Sequence, residues 1–398
     1  MLTTLSLLVF YFSITLESVL RAEVPSGEVV NVSYAQQEKR GYGEIMIKRL
    51  LVFTENNVYM NSSIKDDNNF SDGYKVGSEV EKIVYGAFIY SHKAEHFLVI
   101  TSTLGKYLIK TYSIIGRNET KHAQVKRLLL EALIKFDSTF LDKVGHTSCP
   151  LPTHENTCTI TQGDIKELTE FSGQELCCIK TIKNVSAEQS ELIIATKTQI
   201  GTVMMNKKSI LTTVVQEIDK KIIGVEYWNG YYLLLYDDNS LSICKRSINK
   251  LIEKIKHKEF NNLKTDLKVT MFKLPKLEWS GRLPDMFHKE ISAVILLVGK
   301  CKDKSYIMKY NMFTEQCIGS VLVNSLAEVT TINYGPYDNG PIVLGLNNGT
   351  ILMYEYYSLE LLSKVKDIHK TRIKDIVYEP GYAIVAGSTN LISELQDF

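Results

Sequence analysis

The sequence predicts an all-β fold, and three observations support that prediction. Short apolar runs rich in β-branched and aromatic residues recur along the chain, bounded by Asn, Gly and Asp. The runs form units of strand, turn, strand, tight polar turn and strand, as in residues 222–245 and 329–356. The units also return at a nearly constant interval, which indicates a repeat architecture.

The tight turn between the second and third strands marks each unit. Seven markers occur, at intervals of 48, 96, 38, 65, 45 and 41 residues. They are Asn57, Gly105, Gly201, Asn239, Lys304, Gly349 and Asn390. Four intervals lie near the roughly 40–45 residues of a four-stranded propeller blade. We therefore expect a single seven-bladed β-propeller domain over residues 1–398, although the interval of 96 leaves room for an eighth blade.

The two long intervals contain predicted insertions, at about 113–172 and 246–268. Each insertion includes apolar residues at helical spacing. In 121–142 they are Val125, Leu129, Leu133, Phe136 and Phe140, and in 246–260 they are Ile248, Leu251, Ile252 and Ile255. Both segments are predicted to be amphipathic helices.

The last unit ends after its third strand, LISELQDF, and therefore lacks an outermost strand. An unpaired edge at the seam of a ring is unfavourable. The apolar segment SLLVFYFS, residues 6–13, belongs to no unit. We expect this segment to pair with the last unit and to close the ring.

The alternative for the apolar N-terminus is a secretory signal peptide. No basic region precedes the run and no small-residue cleavage site follows it, which disfavours this alternative. Glycosylation sequons favour it, and they begin at Asn31, Asn61, Asn69, Asn118, Asn184 and Asn348. The run is too short to span a bilayer comfortably, so we expect no membrane span.

The last unit also carries a motif. His369 precedes the strand IKDIVY, AGS stands at the following turn, and Gln396-Asp397 takes the place of a Trp-Asp pair. Asp237-Asp238 stands at the second turn of the fourth unit. In these features and in its repeat length the chain resembles a divergent member of the WD-repeat family. The resemblance implies a rigid propeller whose loops recognise other proteins.

No catalytic motif is present. The sequence has no P-loop, no Gly-x-Ser-x-Gly and no His-Glu-x-x-His. Residues 65–73 resemble a calcium loop, but counted from Asp67 they place Asp72 where the loop needs Gly and Ser78 where it needs Glu. A zinc site could use four residues at nearly suitable spacing, His146, Cys149, His154 and Cys158. This spacing misses a zinc knuckle by one residue, so we expect a surface loop, no metal and no cofactor.

One basic cluster suggests a binding surface. Net charge is only +1, which indicates no general attraction to nucleic acid or an anionic membrane. On the predicted second helix, Lys250, Lys254 and His257 share one side, and with Lys258 they are the predicted partner-binding residues. We expect an acidic protein surface opposite them, or else a solvated lysine face. The cluster has few arginines and no interleaved aromatics, which disfavours nucleic acid.

The leading function hypothesis is a non-enzymatic scaffold that mediates protein–protein interactions in a larger assembly. Seven scattered cysteines indicate a reducing compartment, hence the cytoplasm. A composition rich in Lys, Ile, Tyr and Asn suggests an AT-biased eukaryotic genome, and a cytoskeletal, ciliary or organelle-associated complex is consistent with that. The first alternative is a secreted or lumenal ligand-binding glycoprotein. The second is a propeller enzyme, which predicts polar side chains converging in the central channel.

Overall fold

The structure is a computed structural model, and it describes most of the repeat units. The described residues are 18–39, 45–61, 73–76, 80–89, 95–115, 159–186, 189–206, 209–228, 231–245, 253–260, 263, 267–274, 294–312, 314–323, 325–334, 340–366, 368–379 and 382–396. They contain 28 strands and one short 3-10 helix at Thr169–Phe171. No helix within these ranges is long and apolar enough to cross a membrane.

The strands form seven antiparallel sheets of four strands each, which are the blades of a propeller. The closing strand is β1 (Ser18–Glu23). Blade 1 contains β2 (Val29–Lys39), β3 (Ile45–Thr54), β4 (Asn57–Asn61) and β5 (Tyr74–Lys75). Blade 2 contains β6 (Lys82–Phe88), β7 (His96–Thr103), β8 (Lys106–Ile115) and β9 (Thr159–Glu167). Blade 3 contains β10 (Leu176–Ser186), β11 (Gln189–Thr196), β12 (Gln199–Met205) and β13 (Ile210–Glu217).

The remaining blades follow the same order from the innermost to the outermost strand. Blade 4 contains β14 (Ile222–Trp228), β15 (Tyr231–Tyr236), β16 (Ser240–Lys245) and β17 (Glu253–Glu259). Blade 5 contains β18 (Lys268–Lys273), β19 (Val294–Cys301), β20 (Lys304–Asn311) and β21 (Gln316–Leu322). Blade 6 contains β22 (Val329–Tyr334), β23 (Ile342–Leu346), β24 (Ile351–Tyr354) and β25 (Leu361–Val365). Blade 7 contains β26 (Ile373–Glu379), β27 (Tyr382–Gly387) and β28 (Leu391–Gln396), completed by β1.

The prediction of seven blades is confirmed, and each predicted marker lies at or near the hairpin between the second and third strands of a blade. Gly105 and Gly349 occupy such turns with φ of 80° and 79°, where glycine avoids the strain of a side chain. The described part of the longest interval belongs to blades 2 and 3. Strands β9 and β17 lie inside the ranges predicted as insertions, and each is the outermost strand of its blade.

The core of the molecule lies between the blades. Seven apolar clusters are present in the described chain, one at each junction between neighbouring sheets. At the junction of blades 7 and 1, for example, Val52 of β3 packs with Ala386 of β27 and Ile392 of β28. The second strand of each blade is buried on both faces, which explains apolar runs such as YLLLY in β15.

The ring is closed by an N-terminal strand, as predicted, but by a different segment. Strand β1 pairs antiparallel with β28 from Ser18↔Gln396 to Glu23↔Leu391. Beyond β1, the amide of Val24 donates to the carbonyl of Asn390 at 2.8 Å. The predicted closing segment 6–13 lies outside the described residues. An outermost strand is solvent-exposed along one edge and needs few apolar residues, so hydrophobicity was the wrong criterion.

The prediction of a second inserted helix was wrong. Residues 253–259 form β17, which pairs with β16 from Ser240↔Glu259 to Lys245↔Glu253. The apolar spacing of a short segment is ambiguous between helix and strand, and the unpaired edge of β16 supplies the hydrogen-bond partners that decide between them. The first predicted helix, 121–142, lies outside the described residues.

Closure by β1 can be tested with two truncations. We expect removal of residues 1–23 to lower the free energy of unfolding by about 3 kcal/mol, because a six-residue strand and its hydrogen bonds to β28 are lost. Removal of residues 1–17 is the matched control, since it deletes the apolar segment but keeps β1. Urea denaturation of both variants gives the comparison, and equal stabilities would contradict the role of β1.

Candidate functional site

The innermost strands of the seven blades surround the central channel and share one irregularity. Each has a register shift at the same point against the second strand of its blade. The residues directly after the shift, which we call the first tier, are Asn31, Tyr85, Cys178, Gly224, Met271, Thr331 and Asp375. The residues two positions later, the second tier, are Ser33, Ala87, Lys180, Glu226, Lys273, Asn333 and Val377. Both tiers share one side of their strands because side chains alternate along a strand.

The polar side chains of these tiers bind the neighbouring blade. Asn31 Nδ2 donates to the carbonyl of Gly86 at 2.7 Å, and the amide of Gly86 donates back to Asn31 Oδ1 at 3.0 Å. Asn333 Nδ2 donates to the carbonyl of Ile376 at 2.6 Å. The Tyr85 hydroxyl lies 3.1 Å from Thr181 Oγ1. These contacts link blade 1 to blade 2, blade 6 to blade 7 and blade 2 to blade 3.

Three charged groups continue the links from blade 3 to blade 5. Glu226 is buried, and its Oε1 forms an ion pair with Lys180 Nζ and lies 3.7 Å from Lys273 Nζ. Burial lowers the pKa of Lys180, while the Glu226 carboxylate opposes that shift. One buried carboxylate therefore holds two ammonium groups from the flanking blades.

Asp375 performs the same role at the seam of the ring. Its Oδ2 accepts from the amide of Val32 in blade 1 at 3.2 Å, and its Oδ1 accepts from its own neighbour, Ile376, at 2.9 Å. Burial raises the pKa of Asp375, and these two amides and the charge of Lys273 oppose that rise. The junction of blades 5 and 6 differs, because Met271 packs there against an apolar cluster.

The channel thus contains the convergence of polar side chains that the enzyme hypothesis predicts. These side chains are engaged with one another and with backbone groups across the blade junctions. Burial raises the pKa of Tyr85 to about 12, and its hydroxyl lies within hydrogen-bond distance of Thr181 Oγ1. Among the described residues, no group of three or more His, Cys, Asp or Glu is placed to hold a metal ion. The predicted zinc candidates, residues 146–158, lie outside the part that the structure describes.

A second site lies on the outer edge of blades 5 and 6. A groove of about 470 Å³ separates β21 from the loop that precedes β25. Its lining residues are Ser320, Val321, Leu322, Tyr354, Ser358, Leu359, Glu360 and Leu361. The strands and the loop that line it carry further exposed apolar side chains, namely Ile318 on β21, Tyr357 in the loop and Leu362 on β25. We call this region the blade 5–6 groove.

The loop that forms one wall of the groove is held by its own hydrogen bonds. The amide of Leu359 donates to the carbonyl of Glu355 at 3.0 Å, and the amide of Glu355 donates to the carbonyl of Glu360 at 2.9 Å. Lys309 Nζ of blade 5 donates to the carbonyl of Tyr357. Leu359 lies in this turn with a φ of 59°. Its buried side chain packs in the apolar cluster between blades 5 and 6, which anchors the turn to the core. The groove is therefore a formed feature of the fold.

The predicted partner-binding residues do not form a helical face. Lys250 lies outside the described residues, and Lys254, His257 and Lys258 belong to β17. They pair there with Cys244, Ser242 and Leu241 of β16. The side-by-side arrangement expected from helical spacing does not apply to a strand, while binding of a partner by these residues stays a prediction.

Each described residue of the predicted motif lies at a defined place in a blade or a turn. His369 is buried, and its Nδ1 lies 2.7 Å from the point where a Cβ on Gly387 would stand. Asp238 accepts from the amide of Ser240 at 3.1 Å and from Lys220 Nζ at 2.6 Å, which fixes the hairpin turn of blade 4. Gln396 ends β28, where it pairs with Ser18 of the closing strand.

Comparison with known proteins agrees with this geometry. No protein-family model and no curated protein sequence matches the chain. Among solved structures, the chain is similar to one in the crystal structure of the Mitotic Checkpoint Complex, with a TM-score of 0.56 and 14% sequence identity. That match covers 100% of this chain and 98% of the other chain. At this identity the likeness shows the fold alone. The protein is a seven-bladed β-propeller, and its likeness to WD-repeat propellers is one of fold.

The channel links can be tested at Glu226. We expect Glu226→Gln to lower the free energy of unfolding by about 3 kcal/mol, because it leaves the Lys180 and Lys273 ammonium groups without their shared carboxylate. The matched control is Glu175→Gln, which removes an exposed ion pair with Lys197. Urea denaturation should show no measurable change for the control. Equal effects of the two substitutions would contradict a structural role for the channel cluster.

Proposed function

We propose that this protein is a non-enzymatic scaffold that joins other proteins in a larger assembly. The observation that carries the proposal is the exposed apolar surface around the blade 5–6 groove. Tyr357 is 62% exposed and Leu322 is 42% exposed, and both lie beside a preformed groove. Clustered exposed apolar side chains around a groove are typical of protein-binding surfaces.

The channel favours the same proposal. Its charged side chains are paired across blade junctions, as expected for groups that hold a rigid platform together. A rigid platform lets surface groups bind a partner without a large ordering cost. The basic segment with Lys250, Lys254, His257 and Lys258 is proposed as a second contact, to an acidic protein surface. Nucleic acid is not proposed as a partner.

We propose a cytoplasmic location, including a cytoskeletal, ciliary or organelle-associated complex. The five described cysteines are free, which is consistent with a reducing compartment. Signal-peptide cleavage before about Glu23 would also remove nearly all of β1, and with it the outermost strand of blade 7. Both observations support the cytoplasm over the secretory pathway.

The scaffold proposal predicts that charge on this surface removes partners. We expect the double variant Leu322→Lys, Leu361→Lys to lose its co-purifying proteins by about tenfold, because lysines would be buried against an apolar partner surface. The matched control is Leu211→Lys, since Leu211 is 43% exposed and lies on β13 of blade 3, outside the blade 5–6 groove. Quantitative mass spectrometry after affinity purification from the native cell gives the measurement. Unchanged partners in the double variant would contradict the proposed surface.

The secreted or lumenal glycoprotein is the second candidate, and one observation favours it. Asn348 begins the sequon Asn-Gly-Thr and is exposed at the β23–β24 turn, where a glycan would be accommodated. Asn31 is a built-in comparison, because both polar atoms of its side-chain amide bind Gly86. Glycosylation of Asn348 therefore distinguishes the two candidate functions.

We expect protein from the native cell to carry no N-glycan, because we place it in the cytoplasm. The measurement is its intact mass before and after treatment with a peptide N-glycosidase. A glycan on Asn348 together with an unmodified Asn31 would instead establish passage through the secretory pathway.

A further inference from the structure

The outermost strands of the seven blades differ in one property. An outer strand presents unpaired backbone groups, and proteins usually protect such an edge with charged residues. Charged residues occur in β1, β5, β9, β13, β17 and β25. Strand β21, with the sequence QCIGSVL, contains none and has no proline. Among the described outer strands, β21 is therefore the one with an uncharged edge.

The hydrogen-bond register shows which backbone groups of β21 face outward. The amide of Val323 donates to the carbonyl of Ser305 in blade 5 at 2.9 Å. Paired residues of antiparallel strands alternate between inward and outward backbone groups. With Leu322 opposite Tyr306 and Ser320 opposite Met308, the N–H and C=O groups of Leu322 and Ser320 face away from β20. These two residues offer four backbone groups at the edge.

The blade 5–6 groove lies along that edge. Ser320 and Leu322 line it on the blade 5 side, while Leu359 and Leu361 line it on the blade 6 side. Glu360 is an exposed carboxylate of the lining, and no described cation forms an ion pair with it. The site thus combines free backbone groups, an apolar groove and one negative charge.

We propose that β21 binds an extended peptide segment of a partner protein as a fifth strand of blade 5. The peptide pairs with the outward groups of Ser320 and Leu322, places an apolar side chain in the blade 5–6 groove and presents a lysine or arginine to Glu360. Backbone pairing supplies affinity in this mode, and the groove selects the side chains. The inference rests on the proposed scaffold function and specifies its mode of binding.

Charge complementarity favours a partner peptide over a second copy of this chain. If two copies paired through their β21 strands, each groove would receive residues from QCIGSVL. That sequence has no cation to meet Glu360. A separate peptide with a basic residue can hydrogen-bond to the outward backbone groups of β21 and also pair with the Glu360 carboxylate.

The test removes one outward N–H. In Ser320→Pro the amide proton that faces the peptide is lost, while the ladder to β20 is kept, because proline is tolerated at an edge position of this kind. Ser320→Ala is the matched control, since it removes the hydroxyl but keeps the N–H. The probe is a display library of random short peptides selected on the wild-type protein, and affinities are measured by fluorescence anisotropy.

We expect the selected peptides to alternate apolar residues and to contain a lysine or arginine. Ser320→Pro should weaken their binding about tenfold, and Ser320→Ala should leave it unchanged. N-methylation of the peptide on the edge that pairs with β21 should weaken binding to the wild type by a similar factor, about tenfold, whereas N-methylation on the opposite edge should not. The two N-methylated peptides are measured on the wild-type protein, so the test remains decisive if Ser320→Pro fails to fold.

Three outcomes would overturn the inference. They are the absence of any selected peptide, equal binding by Ser320→Pro and Ser320→Ala with equal binding of both N-methylated peptides, and a concentration-dependent dimer that Ser320→Pro abolishes. The last outcome would assign the edge to a second copy. If the inference fails while Leu322→Lys, Leu361→Lys still loses its partners, the scaffold function stands and only the strand-addition mode is wrong.

Discussion

Closure of the ring at the junction of blades 7 and 1 is the constraint on which the other contacts depend. Each blade is a small twisted sheet whose two faces are apolar, so it is stable only when neighbours cover both faces. The seam receives three kinds of contact: the β1–β28 ladder, an apolar cluster and the polar contacts of Lys374 and Asp375 with blade 1. Opening the seam would expose the facing surfaces of two blades at once.

The polar tiers of the innermost strands fix how neighbouring blades align. Apolar faces alone allow small shifts between sheets, because hydrophobic contact is not directional. Asn31 against Gly86, and Asn333 against Ile376, each require one relative position of two blades. Buried ion pairs are weak sources of net stability but can specify a unique arrangement. The cluster around Glu226 is consistent with that role, which also explains why its charges are directed at each other.

The sequence predicted the parts of the fold that are buried on both faces. Second strands such as β15 and β23 are continuous apolar runs ended by a polar turn, so their positions and number could be read directly. Outer strands have no such signature, because one edge meets solvent. For that reason the apolar spacing of residues 246–260 indicates a helix where the structure has β17, and the apolar residues 6–13 are a more obvious closing strand than β1.

The channel cluster could not be predicted from the sequence, for a different reason. Lys180, Glu226 and Lys273 stand in three separate blades and have no motif in common. Only the shared register shift of the innermost strands brings them to equivalent positions. The blade 5–6 groove did leave a signal, since β21 is an outer strand without charge. That signal becomes visible once the strand order of blade 5 is known.

The channel and the β21 edge differ in whether their polar groups already have partners within the protein. This difference decides where binding is expected. In the channel, carboxylates, amides and ammonium groups already have partners across the blade junctions, so a ligand would have to displace them. At β21 the outward amides and carbonyls of Ser320 and Leu322 face away from the sheet, next to apolar side chains that gain free energy when covered. Covering such an edge also removes a surface that would otherwise promote self-association. A partner strand there satisfies the backbone and the groove together, whereas a ligand in the channel would have to break contacts that align the blades.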